Sequence, residues 1–246
     1  MFTLARRIAR RLGLERKDED VLADSVEKDL ITRIKSKNLT YLSEKKLASI
    51  ADVCRDIEAK QLSGSFIEAG CALGGSAILI ASLKSRSRML NVYDVFGLIP
   101  SPTEDDTSDV HARYKTIVEG KSEGIGGDRY YGYEENLVDK VTNNFADFGI
   151  DIVVQNVNLI KGLLQDTMHI NGDVAFAHID VDWYDPVKTS LERIFPKLVV
   201  GGSIIFDDYY DWGGCRKAVD EYFRAIVGKV EIDGSAGSLK LTRSRL

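Results

Sequence analysis

Residues 65–77 read SFIEAGCALGGSA, and this stretch decides the fold. Its first five residues form a short, mostly apolar segment that is typical of a buried β-strand. Gly70, Gly74 and Gly75 then form a turn, because glycine adopts backbone conformations that other residues avoid. The apolar residues 77–83 that follow are typical of a buried helix. A strand, a glycine-rich turn and a helix in this order predict the first unit of an α/β sheet.

The same alternation of short apolar segments and helical segments continues along the chain. Predicted strands span residues 89–93, 157–160, 174–179 and 199–206, and predicted helices span 43–60, 186–195 and 214–227. Strands that alternate with helices form a mostly parallel sheet with helices on both faces. Two further short strands, 229–232 and 238–242, flank a glycine-containing turn and predict a closing antiparallel hairpin.

The composition is that of an ordinary globular chain and excludes several classes of protein. The 246 residues are 44% hydrophobic and 29% charged, which excludes a disordered, collagen-like or coiled-coil chain. The formal net charge is −5, so we expect no nucleic acid partner, because phosphate binding requires a basic surface. No apolar run reaches about 18 residues, so we expect no transmembrane segment. Three scattered cysteines predict reduced thiols and a cytoplasmic location.

Residues 1–60 are predicted to form a helical N-terminal extension that precedes the α/β domain of residues 61–246. Residues 1–12 carry four arginines among apolar residues, and residues 15–29 are strongly acidic. A helix that packs on a neighbour or on a second copy of the chain explains the basic stretch. Contact with a membrane surface is the alternative. We therefore expect a homo-oligomer, either a dimer or a larger assembly.

Residues 100–133 fit none of the predicted elements. A segment longer than about 15 residues without regular structure inside a domain is usually functional or disordered. Its five glycines, together with Tyr130, Tyr131 and Tyr133, favour a mobile lid over the site. A passive excursion or a contact between protomers is the alternative.

The ends of the first two strands carry candidate ligand-binding residues. The turn runs from Glu68 and Gly70 to Ser76, at the start of a helix whose backbone amides point at a bound ligand. An acid in this turn would repel a pyrophosphate, and it suits a positively charged group, a ribose or an amino group. Asp94 ends the second strand, where an acid can accept both hydroxyls of a ribose. Either feature alone also fits an α/β protein without a ligand.

The strongest signal is a set of carboxylates after the fourth and fifth strands. Asp180 and Asp182 follow the fourth strand, and Asp207 and Asp208 follow the fifth. Because the carboxyl ends of parallel strands meet at one edge of a sheet, we expect these acids to lie together. Clustered carboxylates repel one another unless protons or a cation intervene. Oxygen ligands alone suit Mg²⁺ or another hard divalent cation, and acids that merely cap helices are the alternative.

Neighbouring side chains have simpler explanations. His178 alternates with Asp180 along the fourth strand, so both side chains face the same side. A buried, hydrogen-bonded histidine is favoured over a catalytic one. Trp183, Tyr184 and Trp212 flank the acids and form either a wall for a sugar or plain packing.

Taken together, these motifs resemble the macrocin O-methyltransferase family. The resemblance is carried by FIEAGCALGGSA at 66–77, YDVFGLIPSP at 93–102, KGLLQDT at 161–167, HIDVDWYD at 178–185 and GGSIIFDDYYDWGGCRKAVDEYF at 201–223. The motifs occur in the order and spacing of the family, and the resemblance covers about residues 39–227. The family consists of class I enzymes that depend on S-adenosylmethionine and Mg²⁺ and methylate sugar hydroxyls of natural products. The resemblance thus implies a Rossmann-like, seven-stranded sheet whose last strand is antiparallel.

The resemblance also implies roles for individual residues. The residues that match the S-adenosylmethionine site are Glu68, Gly70, Ser76 and Asp94, with Asp94 as the acid for the ribose. The residues that match the Mg²⁺ ligands are Asp180, Asp207 and Asp208, and Asp180 also matches the proposed general base. The implied reaction transfers a methyl group from a sulfonium to a hydroxyl of a sugar or glycosylated metabolite. The cation would stabilise the developing alkoxide.

Two departures from the family pattern leave the acceptor open. Val181 stands where the family often has glycine, which affects only local packing. Residues 100–133 differ from the shorter acceptor loop of the antibiotic-sugar enzymes. A catechol or another non-sugar vicinal diol is therefore the alternative acceptor. A non-catalytic binding protein has no need of three metal-binding acids, and the acid-containing glycine turn argues against a metal-dependent hydrolase.

Overall fold

The computed structural model describes residues 14–245, and the basic stretch noted at residues 1–12 lies outside this range. Its strands are β1 (Ser65–Ala69), β2 (Leu90–Asp94), β3 (Val157–Lys161), β4 (Val174–Ile179), β5 (Leu198–Phe206), β6 (Val230–Asp233) and β7 (Leu239–Arg243). They form one sheet in the order β3-β2-β1-β4-β5-β7-β6. Strands β1 to β5 run parallel, and β7 pairs antiparallel with β5 and β6. The predicted seven-stranded, mostly parallel sheet with a closing hairpin is confirmed.

Helices cover both faces of this sheet. Those of the described chain are α1 (Leu14–Ser36), α2 (Glu44–Ala59), α3 (Gly75–Leu83), α4 (Ser108–Val118), α5 (Leu137–Asp147), α6 (Leu164–Thr167), α7 (Tyr184–Ile194) and α8 (Gly213–Ile226). One face carries α1, α2, α3 and α5 around a core that includes Phe66 and Phe176. The opposite face carries α6, α7 and α8 around Ile67 and Phe206. Phe66 and Ile67 face opposite cores because successive side chains of a strand alternate between the two sides.

Helix α2 is fixed by a cap at its start and by a buried apolar stripe. Ser43 precedes the helix, and its side chain accepts a hydrogen bond of 3.2 Å from the backbone amide of Lys46. The buried stripe consists of Leu47, Ile50, Ala51, Val53, Cys54 and Ile57. The helix predicted for residues 43–60 is thus confirmed, and it packs against both α3 and the sheet.

The prediction that residues 100–133 contain no regular structure is wrong in part. Helix α4 lies inside this segment. Its buried residues, Val110 and Ile117, are two helical turns apart on one face and pack it against the protein. The acidic residues before it and the glycines after it hide this short pattern in the sequence. Two 3₁₀ turns follow, at Ile125–Gly127 and Tyr131–Tyr133.

Helix α5 also has no counterpart among the predicted elements. Its buried residues Leu137, Val141 and Phe145 recur every four positions, so the helical pattern is present in the sequence. These side chains belong to the same core as α2 and α3.

The described residues contain neither a membrane-spanning helix nor a disulfide. No helix within residues 14–245 is long and apolar enough to cross a membrane. All three cysteines, Cys54, Cys71 and Cys215, are free thiols, and each is buried.

We expect Leu47→Ala to lower the free energy of unfolding by about 2–5 kcal/mol, because it removes a buried side chain and leaves a cavity. Lys45→Ala, at an exposed position of the same helix, is the control and should change this free energy by no more than about 0.5 kcal/mol. Urea unfolding followed by circular dichroism measures both. Equal effects of the two substitutions would contradict the packing of α2.

Candidate active site

Two cavities lie side by side at the carboxyl ends of the parallel strands. The smaller cavity, of about 220 Å³, is formed mainly by residues from 93–106, 162–165 and 180–186. The acidic cavity, of about 530 Å³, lies among the predicted carboxylates and residues 39–46. The residues that line both are Gly70, Asp94, Tyr131, Asp180 and Asp182. The glycine turn and the acids after β4 therefore form a shared wall, as expected at this edge of an α/β sheet.

Gly70 lets the turn after β1 lie directly against the backbone of Asp180. Its φ angle is +81°, and a Cβ atom at this position would lie 1.9 Å from the carbonyl oxygen of Asp180. On the other side, the backbone amide of Asp180 donates a hydrogen bond of 2.8 Å to the carbonyl of Ala69. Only glycine fits both the conformation and the space.

Asp94 organises the same turn through three backbone amides. Its Oδ2 atom accepts hydrogen bonds from Cys71 at 2.8 Å and from Ala72 at 3.3 Å, and its Oδ1 atom accepts one from Phe96 at 2.6 Å. Burial raises the pKa of Asp94, and these amide bonds act against that rise. Because a carboxylate has about four acceptor positions, the side chain retains capacity for a ligand hydroxyl.

Glu68 lies behind the cavities rather than in their walls, which differs from the expectation that it contacts a ligand. Its carboxylate is wholly buried, where it accepts a hydrogen bond from the Ser76 hydroxyl and contacts His178 Nδ1 at 3.2 Å. Burial disfavours the charged form of His178, but the charge and hydrogen bond of Glu68, together with the charges of Asp180 and Asp207, outweigh burial and raise the pKa of His178 to about 9. The prediction of a buried, hydrogen-bonded His178 is confirmed. Ser76 lines the acidic cavity.

The carboxylates after β4 and β5 meet as predicted. Asp180, Asp207 and Asp208 each offer an oxygen, and these three oxygens lie within 4.8 Å of one another. Burial, followed by the charges of neighbouring aspartates, raises the pKa of Asp180 and Asp208 well above the ordinary value for aspartate. A bound cation would remove this repulsion.

Lys46 of α2 reaches the carboxylates from the opposite side of the acidic cavity. Its Nζ atom lies 2.9 Å from Oδ2 of Asp207 and 3.0 Å from Oδ2 of Asp211. Partial burial disfavours the charged form of Lys46, but the two aspartates outweigh it and raise its pKa above the ordinary value. No sequence motif marks this residue, because the contact spans 161 positions of the chain.

One oxygen of the cluster is left for a ligand. The Oδ1 atom of Asp207 is buried and has no hydrogen-bond partner within residues 14–245, while its Oδ2 atom is held by Lys46. An unpaired buried oxygen is unfavourable unless an ion or water completes its shell. Asp180, Asp207 and Asp208 give an oxygen-only donor set, which fits a hard divalent cation such as Mg²⁺.

Asp182, which the sequence places among the clustered carboxylates without giving it a role, lines both cavities. Its φ angle is +56°, a left-handed conformation that is uncommon for aspartate and is enriched at functional sites. Its backbone amide donates a hydrogen bond of 3.2 Å to Oδ2 of Asp208. Burial is the main cause that raises the pKa of Asp182 to about 6. The sequence contains this acid, but only the structure places it in the shared wall.

Residues 100–133 contact the site at several points. The indole Nε1 of Trp183 donates a hydrogen bond of 2.9 Å to the carbonyl of Pro100, and Asp106 accepts one of 2.8 Å from the Tyr184 amide. Arg113, Tyr130 and Tyr131 line the acidic cavity. Trp183 lies in the wall of the smaller cavity and packs edge-on against Trp212, which lines the acidic cavity.

This sheet order, with a glycine turn after β1 and ligand cavities at the carboxyl edge, defines a class I methyltransferase fold. The solved structure of the O-methyltransferase NovP superimposes with a TM-score of 0.69 and 25% sequence identity, over 84% of this chain and 83% of that chain. The macrocin-O-methyltransferase (TylF) family model matches residues 15–232. The chain belongs to this family and is an O-methyltransferase.

Relatives with assigned functions are also O-methyltransferases. Demethyldecarbamoylnovobiocin O-methyltransferase of Streptomyces niveus is 28% identical over 195 residues, which cover 74% of this chain and 67% of the relative. The 8-demethyl-8-(2,3-dimethoxy-alpha-L-rhamnosyl)-tetracenomycin-C 4'-O-methyltransferase of Streptomyces olivaceus is 26% identical over 189 residues, with the same coverage of both chains. The resemblance noted in the sequence is therefore confirmed at the level of the family.

Gly70→Ala should lower the free energy of unfolding by more than about 2 kcal/mol, because it adds a steric clash to a backbone penalty of about 1–2 kcal/mol. Gly120→Ala is the matched control, since Gly120 also has a positive φ angle of +72° but nothing within 4 Å of its Cβ position. It should show the backbone penalty alone. Chemical denaturation of both variants measures the difference, and equal losses would contradict the close contact with Asp180.

Proposed function

We propose that the protein transfers a methyl group from S-adenosylmethionine to a hydroxyl of a sugar or glycosylated small molecule. The observation that carries the proposal is the cluster of three carboxylates, one of which has an unpaired buried oxygen, beside a cavity that is lined in part by the glycine turn. The family assignment supports the donor, and the tetracenomycin relative, whose name includes a rhamnosyl group, supports a sugar acceptor.

The donor is assigned to the smaller cavity and the adjoining turn, where S-adenosylmethionine supplies an activated methyl group. Gly70 allows the ligand to approach the backbone, and Asp94 offers its remaining acceptor positions to the ribose hydroxyls. Ser76 adds a polar group at the edge of the acidic cavity. Glu68 serves the donor indirectly, because it holds the Ser76 hydroxyl from behind.

Asp180, Asp207 and Asp208 are assigned as the ligands of Mg²⁺. When bound, the cation stabilises negative charge that develops on the acceptor oxygen. Lys46 contributes by fixing the second oxygen of Asp207, so that the unpaired oxygen keeps its direction. Residues 100–133 are proposed to act as a lid that excludes water from the shared wall of the two cavities.

Two carboxylates are candidates for the group that accepts the proton of the acceptor hydroxyl. Asp180 is the base implied by the resemblance, and it lies in the shared wall. Asp182 is the second candidate, because it occupies the same wall without belonging to the proposed cation ligands.

Substitution of each aspartate separates these roles. Asp180→Asn should weaken Mg²⁺ binding and lower the rate of methyl transfer, while binding of S-adenosylhomocysteine persists. If Asp182 is the base, Asp182→Asn keeps Mg²⁺ binding and lowers the rate by about 10²–10⁴-fold, the usual contribution of a general base. Calorimetric titration of Mg²⁺ and transfer of a labelled methyl group to a panel of glycosides measure both quantities. A near wild-type rate for Asp180→Asn would exclude that residue as ligand and base.

Removal of divalent cations should abolish methyl transfer and leave donor binding in place. We expect calorimetry to detect S-adenosylhomocysteine binding in the micromolar range with or without Mg²⁺, since the residues proposed to bind S-adenosylhomocysteine differ from those proposed to bind the cation. Excess EDTA should stop turnover, and added Mg²⁺ should restore it. Full activity in EDTA would contradict the role of the cation, and a failure to bind S-adenosylhomocysteine would contradict the donor.

A further inference from the structure

Arg113 is a cation without a carboxylate partner in the wall of an acidic cavity. It lies on α4 and lines the acidic cavity, but no carboxylate oxygen of residues 14–245 lies within 4.0 Å of its guanidinium. The other cation of this cavity, Lys46, is fully engaged with Asp207 and Asp211. The contact that holds Arg113 is with the ring of Tyr130, 5.7 Å from its centroid.

A role as counter-ion for the aspartates does not account for this arrangement. Lys46 shows what a counter-ion looks like in this cavity, with two contacts of 3.0 Å or less. Arg113 acts on Asp182 only from a distance, where its charge opposes the rise in pKa that burial causes. Within residues 14–245 the guanidinium makes no hydrogen bond, so its planar set of N–H donors is available to match the two oxygens of a carboxylate or phosphate.

Aromatic rings lie beside Arg113, so that this part of the cavity wall combines a positive charge with apolar ring faces. Tyr130 and Tyr131 have ring centroids 4.5 Å apart, and Tyr41 packs edge-on against Tyr131 at 6.2 Å. The side chain of Tyr41 is half exposed, and its hydroxyl makes no hydrogen bond with the described part of the chain. Rings of this kind pack on the apolar face of a sugar and leave their hydroxyls for its polar edge.

We propose that the acceptor carries an anionic group, a carboxylate or a phosphate, and that Arg113 binds it at the rim of the acidic cavity. This inference rests on the proposed function and narrows its substrate class to acidic or phosphorylated sugars. Binding at Arg113 places the anionic end on α4 and turns the hydroxyl-bearing end towards Asp180 and Asp182. An anion elsewhere in this cavity would be repelled by the aspartates, so Arg113 also determines orientation.

Intrinsic fluorescence provides a direct readout, because the only two tryptophans of the chain, Trp183 and Trp212, line the two cavities. Glucuronate, glucose 1-phosphate and methyl glucoside are titrated into the protein with saturating S-adenosylhomocysteine and Mg²⁺. Ligand-observed NMR gives independent dissociation constants for the same three probes. We expect the two anionic probes to bind about tenfold or more tightly than the neutral one, as hydrogen bonds between charged groups provide.

Arg113→Gln should remove this preference and leave the binding of S-adenosylhomocysteine unchanged. Lys115→Gln is the matched control, because it removes the same charge from an exposed position of α4 that does not line the cavity. It should keep the preference for anionic probes. Equal or undetectable binding of all probes, or an unchanged preference in Arg113→Gln, would overturn the inference.

Two further outcomes separate this inference from the assignments on which it rests. If Arg113→Gln weakens S-adenosylhomocysteine tenfold, the arginine binds the carboxylate of the donor, and the inference is overturned. If the wild-type protein binds no S-adenosylhomocysteine at all, the proposed function itself fails. Normal binding of S-adenosylhomocysteine without any preference among the probes refutes only the anionic acceptor.

Discussion

The contact between the backbone at Gly70 and the backbone at Asp180 is the constraint on which the rest of the site depends. Strands β1 and β4 are neighbours, and a hydrogen bond from the backbone amide of Asp180 to Ala69, the last residue of β1, continues their pairing one residue beyond the end of β4. With no Cβ atom between them, the glycine turn and the first acid form one continuous wall. The sheet itself therefore sets the distance between the glycine turn and the proposed cation ligands.

A buried ion pair within β1 and β4 stabilises the strands that lead to this wall. Glu68 and His178 face each other in paired strands, each two residues before the contact described above, and both are wholly buried. Removing one partner of a buried pair costs about 3–5 kcal/mol, because the other charge loses its compensation. The acid that the motif places in the glycine turn thus stabilises the arrangement of the strands, and its neighbour Ser76 shares the same carboxylate.

The sequence predicts those parts of the site that depend on local pattern and on parallel topology. Strand ends, the glycine turn and the meeting of Asp180 with Asp207 follow from rules that act within one strand–helix–strand unit. Lys46 escapes prediction because no local pattern records a partner 161 residues away. The placement of Asp182 depends on its left-handed backbone conformation, which no pattern in the sequence marks. Helix α4 escapes prediction because it buries only Val110 and Ile117 and lies between an acidic stretch and a glycine-rich one.

The ion pair between Lys46 and Asp207 also bears on the order in which parts of the protein fold during synthesis. Lys46 is synthesised early, and its carboxylate partner follows only after most of the sheet has been made. Until then helix α2 can bury its apolar stripe, but the ammonium group has no counterpart. Contacts between such distant positions form late and slowly, because a long stretch of chain must first be ordered. The proposed cation site is thus among the last features to form, because a nascent chain that has made only β1 to β4 still lacks Asp207 and Asp208, two of its three proposed ligands.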